Sequence, residues 1–200
     1  MRASGACRSG VLSAARPAGS RFAPLCANRV RIAERVGTHR QKATKIGVPV
    51  NIAVSACLLG EECRYDGTAR PCPAVQALAA QHALVAVCPE AMGGLSTPRP
   101  PHEIVRDGDG ERVVDATGRD GTERFREGAR VALSLAQEHA CELAVLKSKS
   151  PSCGSGRVYD GTFSGTLTEG WGVAARLFRD AGIRVLDEDA PELAALAEKA

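Results

Sequence analysis

Two hundred residues, 44% hydrophobic and 24% charged, make one domain with a real core the expectation and exclude a chain disordered throughout. Only 4% of the residues are aromatic, too few rings for a single-strand nucleic-acid platform built on base stacking. The net charge of +3 is uneven: residues 1–49 hold ten Lys or Arg and one acid, giving +9, so the remainder carries −6, which argues against a basic body gripping duplex DNA.

Residues 1–49 therefore read as a basic N-terminal extension and residues 50–200 as a single α/β domain. The extension is acid-poor and contains Arg and Ser, which also describes an organellar transit peptide, but it lacks the apolar stretch of a secretory signal. No continuous apolar run of about 18 residues occurs, so no membrane span is expected. A cytoplasmic protein is the expectation. Eight cysteines, Cys7, Cys26, Cys57, Cys63, Cys72, Cys88, Cys141 and Cys153, in a chain without an export signal point to metal or catalytic use rather than to a disulfide framework.

In chain order, "VPVNIAVSACLLG" opens the domain with a buried parallel strand through Val50, Ile52 and Val54, and Cys57 stands at its C-terminal end. "PCPAVQALAAQH" is a helix with Val75, Leu78 and Ala79 on one face. Leu84 to Val87 is a second strand, again ending in a cysteine, Cys88, with Pro89 stopping the ladder. Residues 91–121 read as a long Gly- and Pro-rich loop with a small hairpin, Ile104–Val105 and Val113–Val114, around "DGDG". A helix follows, with Thr122 as N-cap and a stripe of Phe125, Ala129, Ala132 or Leu133, and Ala136. Leu143 to Leu146 is a third strand leading into the Cys153 loop. "GTLTEGWGVAARLFRDAG" is a further helix, "IRVLDED" a fourth strand, and "PELAALAEKA" a last short helix with Pro191 in its first turn.

This alternation is that of an open, mainly parallel sheet with helices on both faces, a Rossmann-like three-layer arrangement. In such sheets ligands bind beyond the carboxyl ends of the strands. Three strands end in, or lead into, cysteine loops, so Cys57, Cys88 and Cys153 are expected to converge on one edge. Soft thiolates select zinc, cuprous copper or iron–sulfur clusters. The chain has no CxxC pair, and three distant ligands leave a metal position open, the mark of a catalytic site. Cys141 reads as a packing residue, Cys72 as a loop thiol and His102 as a weak metal candidate. Cys63, on the Cys57 loop, reads either as a fourth ligand or as a resolving thiol.

"SACLLGEECRYDG", "CPEAMGGLSTPRPPHEI", the start "GTERFREGA" and "LKSKSPSCGSG", in that order between Asn51 and Asp187, together resemble the thiouracil desulfurase-like (TudS-like) family. The resemblance implies a [4Fe-4S] cluster held by only three cysteines, which here would be Cys57, Cys88 and Cys153, with one iron free for the substrate's sulfur. It implies hydrolytic removal of that sulfur from a thiolated pyrimidine, base or nucleotide, with release of hydrogen sulfide, as in nucleotide salvage. Glu90 of "CPE" would be the base that activates water, and Ser148 a proton donor or orienting group. It also favours a non-ligand role for Cys63. Among nearby groups, Arg64, Tyr65, Asp66, Arg99, Lys147 and Ser150 are candidates for holding substrate, with Arg119 and Arg124 behind them. The rival expectations are a non-catalytic three-cysteine metal or cluster protein and a thiol redox enzyme using Cys57 and Cys63.

Overall fold

The computed structural model describes residues 49–108 and 110–198; apart from Pro49, the basic extension with Cys7 and Cys26 lies outside them. The elements run β1 (Asn51–Ser55), α1 (Ala56–Leu59), α2 (Pro73–Ala77), β2 (Ala83–Val87), α3 (Pro89–Met92), β3 (His102–Asp107), β4 (Gly110–Asp115) and α4 (Thr122–Glu138). Then come β5 (Leu143–Leu146), β6 (Arg157–Tyr159), β7 (Leu167–Glu169), α5 (Val173–Asp180), β8 (Arg184–Asp187) and α6 (Glu192–Ala197).

Four short apolar strands form the parallel sheet expected, in the order β2-β1-β5-β8. Both faces of β1 and β5 are buried, which is why these strands read as continuous apolar runs. Ile52, Val54, Leu143 and Val145 point to one side and pack on Val75, Leu78 and Leu193. Ala53, Ala144 and Leu146 point to the other and pack on Ala132, Ala136, Ala175 and Phe178. So α2 and α6 cover one face and α4 and α5 the other, giving three layers. From β1 the chain moves outward to β2, and from β5 it moves the opposite way to β8. The order therefore reverses between β1 and β5, and the loops beyond their carboxyl ends part there, where ligands of such sheets bind.

Three local expectations are corrected. The helix over "GTLTEGWGVAARLFRDAG" is confined to Val173–Asp180; Leu167–Glu169 instead pairs antiparallel with Arg157–Tyr159. Glycines explain the break: Gly165 sits at φ 81°, and a Cβ on Gly172 would stand 2.4 Å from the Ser152 carbonyl oxygen. The long loop after Cys88 is more ordered than read, holding α3 and a hairpin of two six-residue strands. Finally, Thr122 begins α4 but does not cap it. Its hydroxyl accepts the Val113 N–H (2.9 Å), and Asp120 takes the Thr122 N–H (2.7 Å).

Candidate metal centre and active site

Each cysteine of the expected trio is placed by the end of its strand. Ser55 closes β1, and the chain turns into the single-turn α1, where Cys57 is buried at 7% exposure. Gly60, at φ 108°, ends that turn in a conformation costly for any side chain. Cys88 follows β2 directly and stands at the N-terminus of α3, with Pro89 at the first helical position. Cys153 lies in the turn after β5, 6% exposed, its N–H donated to Ser150 Oγ (3.1 Å). Because β2, β1 and β5 are adjacent and parallel, the three loops share one sheet edge.

The Cys63 loop reaches the same edge, where the Cys88 thiol donates to the Cys63 carbonyl (3.7 Å); among the described residues no three Cys, His, Asp or Glu side chains lie close enough together to hold a single metal ion. The Cys63 thiol is pushed up to about 12, raised by Cys57 beside it and by burial and lowered by Cys88. Cys88 is pushed above the ordinary thiol range by its bond to Cys63 and by burial. Burial pushes Cys153 up to about 12, opposed by a hydrogen bond with Ser55, and Cys153 also feels the charges of Cys88, Glu90 and Cys63. Ser55 Oγ accepts the Lys147 N–H (2.9 Å), so one hydroxyl ties the ends of β1 and β5 together.

The donor set fits an iron–sulfur cluster. Sulfur donors dominate it, no competing histidine is among them, and soft ligands of this kind select soft-metal centres. One residue before Cys153, the Ser152 hydroxyl is wholly buried and has no hydrogen-bond partner among the described residues; a donor left over in this loop suits a group rich in sulfide acceptors. Cys57, Cys88 and Cys153 are the residues that would hold the cluster.

Glu90 borders the thiols from the first turn of α3. Arg99 grips it through Nε (2.7 Å) and Nη2 (2.6 Å), both on Oε2, while Oε1 faces Ser150 Oγ at 3.4 Å. The Arg99 side chain is only 4% exposed, and the rest of its guanidinium is spent on the carbonyls of Cys63 and Ser96 and on Thr97 Oγ1 (3.1 Å each). Arg99 therefore stands as the clamp of Glu90 rather than as a cation free for substrate. Ser150 Oγ also accepts the N–H groups of Ser152 and Cys153 (3.1 Å each), which places it between Glu90 and the Cys153 loop.

Ser148 is placed elsewhere. Its hydroxyl and N–H go to Glu188 (2.8 and 2.7 Å), and Lys147 Nζ pairs with the same carboxylate. Burial pushes Glu188 up, but Lys147 and Ser148 outweigh it and hold the carboxyl below its ordinary range. Arg64, Tyr65 and Asp66 form a turn beside Cys63: Asp66 takes the Thr68 N–H and hydroxyl, and Arg64 lies 5.5 Å from the centre of the Tyr65 ring, which is 41% exposed. Arg119 and Arg124 line a cavity of about 300 Å³ that reaches Arg99. His102 is spent on the Pro100 carbonyl and the Phe125 ring. Cys141 packs in the core, and Cys72 lies half-buried against the other face.

Two contributors were not read from the sequence. Ser55 was hidden inside an apolar strand. Glu188 follows β8, and its only signal was its place at the carboxyl end of the fourth strand.

These features place the chain in a known class: residues 52–190 match the model of the 2-thiouracil desulfurase family, and the chain belongs to it. Among solved structures it is similar to the [4Fe-4S]-dependent thiouracil desulfidase TudS, at 47% identity and a TM-score of 0.65, over 72% of this chain and 95% of that one. It is also 45% identical over 145 residues to the uncharacterized protein YbbK of Bacillus subtilis (strain 168), which covers 69% of this chain and 95% of YbbK.

Proposed function

We propose that this protein is an iron–sulfur-dependent desulfidase that hydrolyses the carbon–sulfur bond of a small thiolated pyrimidine, base or nucleotide, and releases hydrogen sulfide. Family membership and the likeness to TudS support the activity and the [4Fe-4S] cluster. The observation that carries it is Glu90, clamped by a buried guanidinium and facing Ser150 of the Cys153 loop. Bound by Cys57, Cys88 and Cys153, the cluster supplies a Lewis-acidic iron that draws electron density from a soft sulfur and leaves the attached ring carbon electrophilic.

The protein's own groups do the rest. Glu90 takes a proton from the attacking water, and Arg99 holds its carboxylate still by sharing one oxygen through two N–H groups. Ser150, which faces the other oxygen, relays a proton toward the leaving sulfur. We assign this role to Ser150 rather than Ser148 because the Ser148 hydroxyl is committed to Glu188. Lys147, Ser148 and Glu188 brace the start of the Cys153 loop. The half-exposed Tyr65 ring and the Arg64 guanidinium offer the pyrimidine a face and an anionic group a partner. A part in nucleotide salvage is supported by a product that is an ordinary pyrimidine. No helix among the described residues is long and apolar enough to cross a membrane.

The test is sulfide release from 2-thiouracil, 4-thiouracil and 4-thiouridine monophosphate by anaerobically purified protein, with Glu90→Gln beside it. Release by the wild type, reduced on the order of 10²–10⁴-fold in E90Q at unchanged iron content, is expected. Iron-loaded protein that releases no sulfide from any of the three overturns the proposal.

A further inference from the structure

Ser148 and Ser150 serve carboxylates that come from opposite edges of the sheet. Glu188 follows β8, one edge strand, and takes the Ser148 N–H (2.7 Å) and hydroxyl (2.8 Å). Glu90 lies just beyond β2, the other edge strand, and faces Ser150 Oγ at 3.4 Å. In extended backbone, residues two apart point the same way, so a straight run on from β5 could not divide the two serines. Lys149, between them, makes the division. Its φ is 64°, in the left-handed region that residues other than Gly, Asn and Asp rarely enter.

This turn is held through its backbone, since the Lys149 side chain is exposed. On one side the Glu188 carboxylate fixes the Ser148 N–H, and Ser55 Oγ fixes the Lys147 N–H (2.9 Å). Alongside, a single β-bridge joins Lys149 to Val158. On the other side, Ser150 Oγ accepts the N–H groups of Ser152 and Cys153, and the Ser150 carbonyl accepts the Gly154 N–H (2.9 Å). With both lone pairs of Ser150 Oγ engaged, its own proton is what it has left to give, and Glu90 Oε1 stands in front of it.

Resting on the desulfidase reading above, we propose that Lys149 and Glu188 are positioning residues for Ser150. Lys149 acts through its left-handed turn, which aims the Ser150 hydroxyl at Glu90. Glu188 keeps that turn in place by its grip on the Ser148 N–H. Neither touches the reacting atoms. The Ser148 hydroxyl is secondary, because the N–H bond survives its removal.

The experiment measures kcat and KM for sulfide release, at matched iron content, in wild type, Lys149→Asn, Lys149→Val, Glu188→Ala, Glu188→Gln and the double variant Glu188→Ala/Lys149→Gly. Both K149N and K149V remove the ammonium, so a difference between them reads the backbone. Asn tolerates the left-handed region, and a β-branched residue does not. K149V should have a kcat on the order of tenfold below that of K149N, at equal KM. E188A should lose kcat on the order of tenfold, and E188Q less, because its carbonyl still accepts the Ser148 N–H. In the double variant the added K149G change makes the turn easy without Glu188 and restores most of the loss. Equal kcat in K149N and K149V overturns the proposal, and this exposed pair decides it even where E188A fails to fold. E188A at the wild-type rate overturns it too, as does a double variant no faster than E188A, because Glu188 then does not act through the turn. Iron-loaded wild type that releases no sulfide overturns the desulfidase reading itself, at the first measurement.

Discussion

At the scale of single residues, the site separates groups that look alike in sequence. Ser148 and Ser150 stand two positions apart in "KSKSPSCG", but one serves Glu188 and the other faces Glu90. Ser150→Ala should therefore lower sulfide release by roughly 10² at unchanged iron content, while Ser148→Ala leaves the rate within about threefold. Steady-state rates of both variants beside the wild type decide it, and equal losses would contradict the assignment. Cations separate the same way. Arg99 and Lys147 looked like substrate partners, but each is committed to a carboxylate of the protein. Sequence names the side chains within reach of a site; it does not say which neighbour claims their hydrogen bonds first.

At the scale of elements, Glu90 depends on how closely α3 lies on α4. Two glycines set that distance. A Cβ on Gly128 would stand 1.7 Å from the Pro89 carbonyl oxygen, and one on Gly93 would stand 2.0 Å from that of Arg124. Both obstacles are backbone atoms, which no rotamer change can move. Gly128→Ala should cost about 3 kcal/mol in urea unfolding and lower the iron retained, since Cys88 caps α3 and α3 carries Glu90. An unchanged midpoint with full iron would show that α3 does not need this contact. The sequence reading had no α3, because four residues after a proline carry no periodicity. The β6–β7 hairpin was missed for the same reason: strands of three residues are too short to alternate convincingly, and the apolar run that follows drew the whole segment into one helix.

At the scale of the whole molecule, the parallel sheet was legible because its strands are buried on both faces and each is bounded by Gly, Pro or Cys. The placing of the Cys57, Cys88 and Cys153 loops at one edge followed from topology. The approach of the Cys63 carbonyl to the Cys88 thiol did not, because a loop residue's direction is set by tertiary packing. Charge also acts at this scale. Glu111 is held low by Arg176, Asp115, Asp120 and Asp160 by threonine hydroxyls, and Glu188 by Lys147 and Ser148 against its burial. Each has a folded pKa below its unfolded value, so its contribution is complete above the ordinary carboxylate range and is lost as pH falls through the lowered values. Asp187, pushed up by burial, runs the other way. The urea midpoint should hold from neutral pH to about pH 5 and fall below about pH 4, with a shallower fall in Glu188→Gln. A midpoint that rises on acidification would contradict these pairings.

All of this depends on Cys57, Cys88 and Cys153 gripping one cluster, and the most direct test is iron bound per chain after anaerobic reconstitution. Wild type and the control Cys72→Ala should bind about four irons per chain and absorb broadly near ~400 nm, while Cys57→Ala, Cys88→Ala and Cys153→Ala each bind almost none. Full iron in any of those three variants, or a colourless wild type, would contradict the account.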